Sequence, residues 1–354
     1  MKDISITYLK AIGILLMVLA HTMCPFIMRQ IIVMFHMPLF FFVSGYCLKT
    51  IYLNEKPVYY FILKKIKGLW WPFVKFSIIY LMLHNLLFDM NIYNESYGYQ
   101  GVGSIKYGLK DICGKLFGII FYMSGNEQLL GGFWFLQALF YGSIISFIAL
   151  KLIKRTELVL LILVIFFIIL NTTKITVPIF HLTARPFLAA IFFVIGFLFK
   201  SKKIKLFNNY YIIITLFFVI IGSFYWRTAT VYDYYDNRII FLYIITAILA
   251  IWSIYSLLKR INCSLDVHNI IRNLFVYIGD NTLIILTLHF LSFKLVSFFL
   301  IKVYDLKIER LAEFPVIEEY SNKGWWILYF IIGIIVPIIY KIILSNIKRI
   351  YNKI

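Results

Sequence analysis

The chain has 354 residues, of which 62% are hydrophobic and only 14% charged, with a mean hydropathy of +0.88. That composition excludes a soluble globular domain and points to a polytopic membrane protein. The formal net charge of +19 raises nucleic acid as a partner, but the basic residues sort by side of the membrane, so no nucleic-acid binding is expected.

Apolar stretches of near-spanning length recur near residues 5 to 26, 31 to 49, 68 to 89, 131 to 150, 157 to 173, 183 to 199, 209 to 226, 238 to 258, 275 to 300 and 325 to 345. None shows the alternation of a barrel strand, so the expected fold is an all-α integral membrane bundle of about ten transmembrane helices. It is expected to be a single domain over 1 to 354, with no appended soluble domain. With the N-terminus inside, 20 of the 35 Lys and Arg fall in short cytoplasmic segments and 12 in longer outer ones, which puts both termini in the cytoplasm. The first span is too long for a signal-peptide core and lacks a small-residue cleavage site, so it reads as a mature helix. Four cysteines show no metal-type spacing, so neither a disulfide framework nor a metal is expected.

The first span carries Lys10 and His21. Eleven residues at about 100° each put both on one stripe of a helix, roughly three turns or ~16 Å apart. Ionisable groups in so apolar a segment are costly and face a protein interior or a wet cavity more readily than lipid. Taken singly, Lys10 also reads as a cation snorkelling to the cytoplasmic boundary, and His21 as an interhelical hydrogen bond. The second span opens with His36 in FHMPLFFFVSGY, 35 to 46. The loop from Lys49 to Gly68 is basic and aromatic, with Lys64, Lys65 and Lys67 before Trp70, Trp71 and Pro72, and reads as an interfacial anchor.

From Asp89 to Gly132 runs the longest hydrophilic stretch; its apolar piece at 112 to 123 is too short to span and reads as interfacial or re-entrant. The fourth span opens with Trp134, an aromatic-belt position, and places Gln137 about one turn deeper on nearly the same face. Arg185 and Pro186 open the sixth span, where proline suits the first turn. The loop RTATVYDYYDNR, 227 to 238, carries tyrosines and acids suited to a glycan as well as to the interface. His289 sits past the middle of the ninth span, and the last outer loop, 302 to 324, is acidic and reads as solvated surface. With His84 two-thirds up the third span, four of the six histidines fall in the outer half of the membrane, and Gln137 and Arg185 enter from the same side. His21 has the right basicity to take a proton from a hydroxyl near neutral pH, provided a neighbour orients it.

Lys10, ten residues, then His21 resembles the Arg/Lys-x10-His motif of the acyltransferase-3 family of integral membrane acyltransferases. FHMPLFFFVSGY resembles its second-helix signature, and KKIKGLWWPF (64 to 73), FWFLQALF (133 to 140) and IGDNTLIILTLHF (278 to 290) follow in the family's order. The resemblance implies a ten-helix enzyme of a bacterial inner (plasma) membrane that moves an acyl group, usually acetyl, from cytoplasmic acetyl-CoA to a hydroxyl of a cell-surface or lipid-linked carbohydrate. On that reading Lys10, Lys64, Lys65 and Lys67 hold coenzyme A phosphates, His21 is general base or a transiently acylated nucleophile, and His36 or Arg185 stabilises the oxyanion. Trp134, Gln137 and His289 line the acceptor site. Lysine at position 10, where the family often has arginine, keeps the charge without the bidentate fork. The alternatives are a transporter or flippase of a lipid-linked glycan or small anion, succinyl transfer or N-acetylation of an amino sugar on the same fold, and a structural subunit of a polysaccharide synthase.

Overall fold

The computed structural model describes residues 3 to 99, 101 to 125, 127 to 178, 180 to 225, 236, 239 to 264 and 269 to 351. The helices in chain order are α1 (Ile4–His21), α2 (Phe26–Val33), α3 (His36–Tyr46), α4 (Thr50–Asn54), α5 (Val58–Lys65), α6 (Trp71–Asp89), α7 (Leu109–Tyr122), α8 (Trp134–Ile153), α9 (Thr156–Thr173), α10 (Ala184–Ser201), α11 (Asn209–Tyr225), α12 (Ile240–Ser264), α13 (Asn269–Asp280), α14 (Thr282–Val303), α15 (Glu318–Tyr320) and α16 (Trp326–Tyr351). The described residues hold nine helical segments long and apolar enough to cross a membrane, plus α11, an apolar helix of 17 residues. The bundle is therefore all-α and integral to the membrane. The loop at 227 to 238 lies outside the described residues, apart from Asp236.

Three of the expected spans differ in form. The second is broken, because Pro38 in the first turn of α3 has no N–H for a carbonyl four residues back; α2 stops at Val33 and α3 restarts at His36. The third starts ten residues earlier than expected, at Val58 after Pro57, and runs to Asp89 through a π-turn at Ile66–Trp70. Lysines made this stretch read as a loop, yet Lys64 and Lys65 turn to an internal cavity and leave the helix unbroken. The ninth is two helices joined at Asn281, whose side-chain amide and backbone N–H both donate to the Tyr277 carbonyl, at 2.8 and 3.1 Å.

Backbone proximity at glycines locks the centre together. A Cβ on Gly45 would collide with the Phe193 backbone, and one on Gly196 with that of Phe42, so the VSGY signature lets α3 and α10 meet with nothing between them. A Cβ on Gly279 would likewise strike the Thr7 carbonyl, which seats α13 against α1. Helix α1, capped by the Asp3 carboxylate accepting the Ser5 N–H at 3.0 Å, ends up packed among α2, α3, α12, α13, α14 and α16. The polar stripe of the first helix is thus enclosed by protein on most sides.

Candidate active site

Two cavities meet along α1. The larger, about 740 Å³, opens at the end of the bundle where α1 begins. Lys10, Lys49, Lys64, Lys65 and Lys200 line it, with Asp3 the only carboxylate among its lining residues. Its deeper wall is apolar, formed by Ile14, Phe40, Phe135, Leu136 and Leu139. The smaller, about 270 Å³, lies at the other end of α1 and is lined by His21, His36, Arg29, Trp134, Gly132, Phe314 and Pro315 among others. Met17, Met37 and Leu286 line both cavities, so their side chains form the partition between them.

The basic cavity is polarised by its neighbours. Lys65 donates to Ser44 Oγ at 3.0 Å, and its ammonium stands over the Phe61 and Phe193 rings. Lys200 donates to the Leu48 carbonyl at 3.1 Å, and Lys10 faces Asp280 at 4.0 Å. Asp3 accepts from Lys259 at 3.0 Å and from the Tyr255 hydroxyl at 2.9 Å, and the Tyr46 hydroxyl lies 3.0 Å from that of Tyr255. Burial raises the Asp3 carboxyl, but the hydrogen bonds from Lys259 and Tyr255 outweigh it and hold Asp3 below its usual range. Cys47 is a free thiol on the cavity wall; desolvation there pushes it up, and the charges of Lys10 and Lys200 offset part of that rise.

In the small cavity His21 closes the last turn of α1, with its ring centroid 5.5 Å from that of His289 and 4.9 Å from that of Phe290. Among the described residues, none hydrogen-bonds either nitrogen of His21. The two other histidines are tied to backbone. His36 Nδ1 donates to the Ile32 carbonyl at 2.9 Å, and His289 Nδ1 lies 3.1 and 3.0 Å from the carbonyls of Ile285 and Leu286. Those bonds put the proton of each neutral ring on Nδ1 and leave a lone pair on Nε2. His289 Nε2 is buried and has no partner among the described residues. A neutral His36 therefore offers a lone pair, not an N–H, to a developing oxyanion.

The sequence-derived residues divide accordingly. His21, His36 and Trp134 line the small cavity, and His289 abuts His21. Lys10, Lys64 and Lys65 line the basic cavity, whereas Lys67 lines neither. Arg185 is a layer back, its guanidinium 4.9 Å from the Trp134 ring. Gln137 donates to the Tyr122 carbonyl at 3.0 Å and lines neither cavity. His84 stays apart from the other histidines: Nδ1 pairs with the buried Glu127 Oε2 at 2.7 Å, Nε2 donates to the Ile105 carbonyl at 2.8 Å, and the ring stacks on Tyr107. Sequence reasoning passed over Arg29, Lys49, Lys200 and Asp280. The first three carried only a topology signal, and Asp280 sat unassigned inside IGDN.

A family model described as an acyltransferase domain matches residues 3–344 of the chain. No curated protein and no solved structure matches it.

Proposed function

The chain belongs to the acyltransferase-3 family, and from that premise we propose that it transfers an acyl group, acetyl by preference, from acyl-CoA to a hydroxyl of a surface or lipid-linked carbohydrate. One observation carries the reading: a lysine-lined cavity and a histidine-lined cavity open from opposite ends of α1 and share Met17, Met37 and Leu286 as their partition. The basic end takes the cytoplasmic side of the plasma membrane by the positive-inside rule, with both termini there.

Lys10, Lys49, Lys64, Lys65 and Lys200 supply charge for the donor's phosphates. The apolar wall beyond them suits the pantetheine arm, which brings the thioester to the partition. His21 takes the proton from the acceptor hydroxyl as its oxygen bonds to the thioester carbon. The tetrahedral intermediate collapses with cleavage of the carbon–sulfur bond, and the departing CoA thiolate takes the proton from the His21 imidazolium. Atoms balance as ester plus free CoA thiol. Arg29, whose guanidinium contacts Met23 Sδ at 2.5 Å, is the cation best set to stabilise the oxyanion, ahead of Arg185 behind Trp134.

The deciding experiment compares ester-linked acetate on the surface glycan of cells expressing the wild type and a His21→Ala variant at matched membrane abundance. Acetate lost only in the variant supports the reading. Equal acetate in both removes His21 from the chemistry, and none in either overturns acetyl transfer to that glycan.

A further inference from the structure

We propose that Leu286, held against Gly132, sets the length of the acyl group this protein transfers, admitting short chains and rejecting longer ones. The inference rests on the transferase reading above and adds to it a residue that determines donor specificity.

The geometry narrows at one place. Met17, Met37 and Leu286 are 2%, 4% and 5% exposed and face both cavities, so a thioester reaching His21 passes between them. The two methionines are unbranched and repack readily around a passing group. Leu286 is the stiff member of the three. Its backbone carbonyl accepts from His289 Nδ1 at 3.0 Å, which ties its position to the ring beside His21. On its far side a Cβ at Gly132 would lie 2.9 Å from Leu286 Cδ1, so the absence of a side chain there is what lets Leu286 reach its place.

Beyond the partition the space is small and firmly walled. The cavity of about 270 Å³ amounts to on the order of nine waters' share of liquid volume, and it must also receive the acceptor hydroxyl. Phe314 roofs it, packed on Phe290 at a centroid distance of 4.6 Å, and a Cβ on Gly131 would come within 3.3 Å of the same Phe314 ring. With the carbonyl carbon at His21, an acyl tail has two courses, forward into this walled space or sideways against Leu286. Both exclude long chains. Each added methylene at such a wall changes relative rates by about 10- to 200-fold.

The test uses inside-out membrane vesicles from source cells lacking their own copy and complemented with wild type, Leu286→Ala, Gly132→Ala or the double variant. Acetyl-, butyryl- and hexanoyl-CoA are supplied in turn, and both CoA thiol release and the chain length of alkali-labile acyl groups on the glycan are measured. The wild type should favour acetyl, and Leu286→Ala should raise the butyryl-to-acetyl ratio by about tenfold or more. Gly132→Ala should slow transfer from every donor, and adding Leu286→Ala should restore it by removing the methyl clash. If Leu286→Ala does not accumulate, Leu286→Val decides the point with a smaller shift in the same direction. Transfer at an unchanged chain-length ratio would overturn the role of Leu286 and leave the transferase reading standing. No transfer from any acyl-CoA by the wild type would overturn the transferase reading itself.

Discussion

His289 holds its ring 5.5 Å from that of His21, with Nδ1 against the carbonyls of Ile285 and Leu286 and a buried, unpartnered Nε2. A neutral ring so fixed keeps an acceptor nitrogen in the packing behind the small cavity, beside His21. It positions and does not itself take the first proton, because among the described residues His21 alone of the three histidines has both nitrogens unengaged.

Replacing His289 should therefore lower turnover while leaving donor affinity intact. We expect His289→Phe to reduce kcat by roughly 10- to 100-fold with the KM for acyl-CoA unchanged, His289→Gln to recover part of the loss, and His21→Ala to reduce kcat by about 10²-fold or more. A rise in KM with constant kcat for His289→Phe would assign it to binding instead.

Lys10 and Asp280 join the first motif of the chain to the last, at 4.0 Å across the packed faces of α1 and α13. The pair is 29% and 40% exposed, with Lys10 on the wall of the basic cavity, so its mutual attraction is screened and contributes little stability. Its effect falls on the ligand. Lys10→Met should raise the KM for acyl-CoA about tenfold with a shallower salt dependence, Lys10→Arg should stay near wild type, and Asp280→Asn should tighten donor binding by removing a negative charge. Titration of donor affinity against ionic strength in the three variants checks the order.

Cys47 reports directly on whether the basic cavity takes the donor. Desolvation pushes its thiol up and Lys10 and Lys200 pull it partly back, so the reactive thiolate is scarce at neutral pH and its fraction grows about tenfold per pH unit on the way to its pKa. Maleimide labelling of Cys47 should follow that slope, and Lys10→Met should slow it further, because one of the cations favouring the thiolate is gone. Saturating acetyl-CoA should protect Cys47, whereas free acetate should not. Labelling indifferent to acetyl-CoA would place the donor elsewhere.

The stripe of Lys10 and His21 was legible because helical periodicity is local, and a cation and a histidine in so apolar a segment stand out. His36 and His289 were legible for the same reason, as intramembrane titratable groups. What was hidden is whatever depends on distant backbone. That His36 Nδ1 is engaged follows from the break before α3, itself a result of Pro38, and the partner of Lys10 lies 270 positions away. Lys64 and Lys65 read as loop because hydropathy scores charge without knowing that a helix face can turn to a cavity. Arg29 read as an outer-loop charge because nothing in the local sequence says that the chain after α1 folds back over His21. His84 shows the converse: its depth matched the other histidines, but Glu127 and Ile105 claim both of its nitrogens.

Lys294 is 3% exposed in the interior of α14, and its ammonium donates to the carbonyls of Leu311 at 2.9 Å and Glu313 at 2.6 Å. The next two residues, Phe314 and Pro315, roof the His21 cavity, so this lysine fastens the roof to the helix that carries His289 and Leu286. Lys294→Met keeps the apolar stem and deletes both bonds, leaving two carbonyls in a dry environment at about 1 to 3 kcal/mol each. The expected result is a melting temperature lowered by several degrees in detergent, together with a loss of turnover larger than the lost folded fraction explains, because Phe314 is released from Phe290. Lys294→Gln keeps a donor at a shorter reach and should fall between wild type and Lys294→Met in both measurements. If Lys294→Met melts early but its folded fraction turns over at the wild-type rate, the lysine serves the stability of the outer segment alone and the roof is held in place by its aromatic packing.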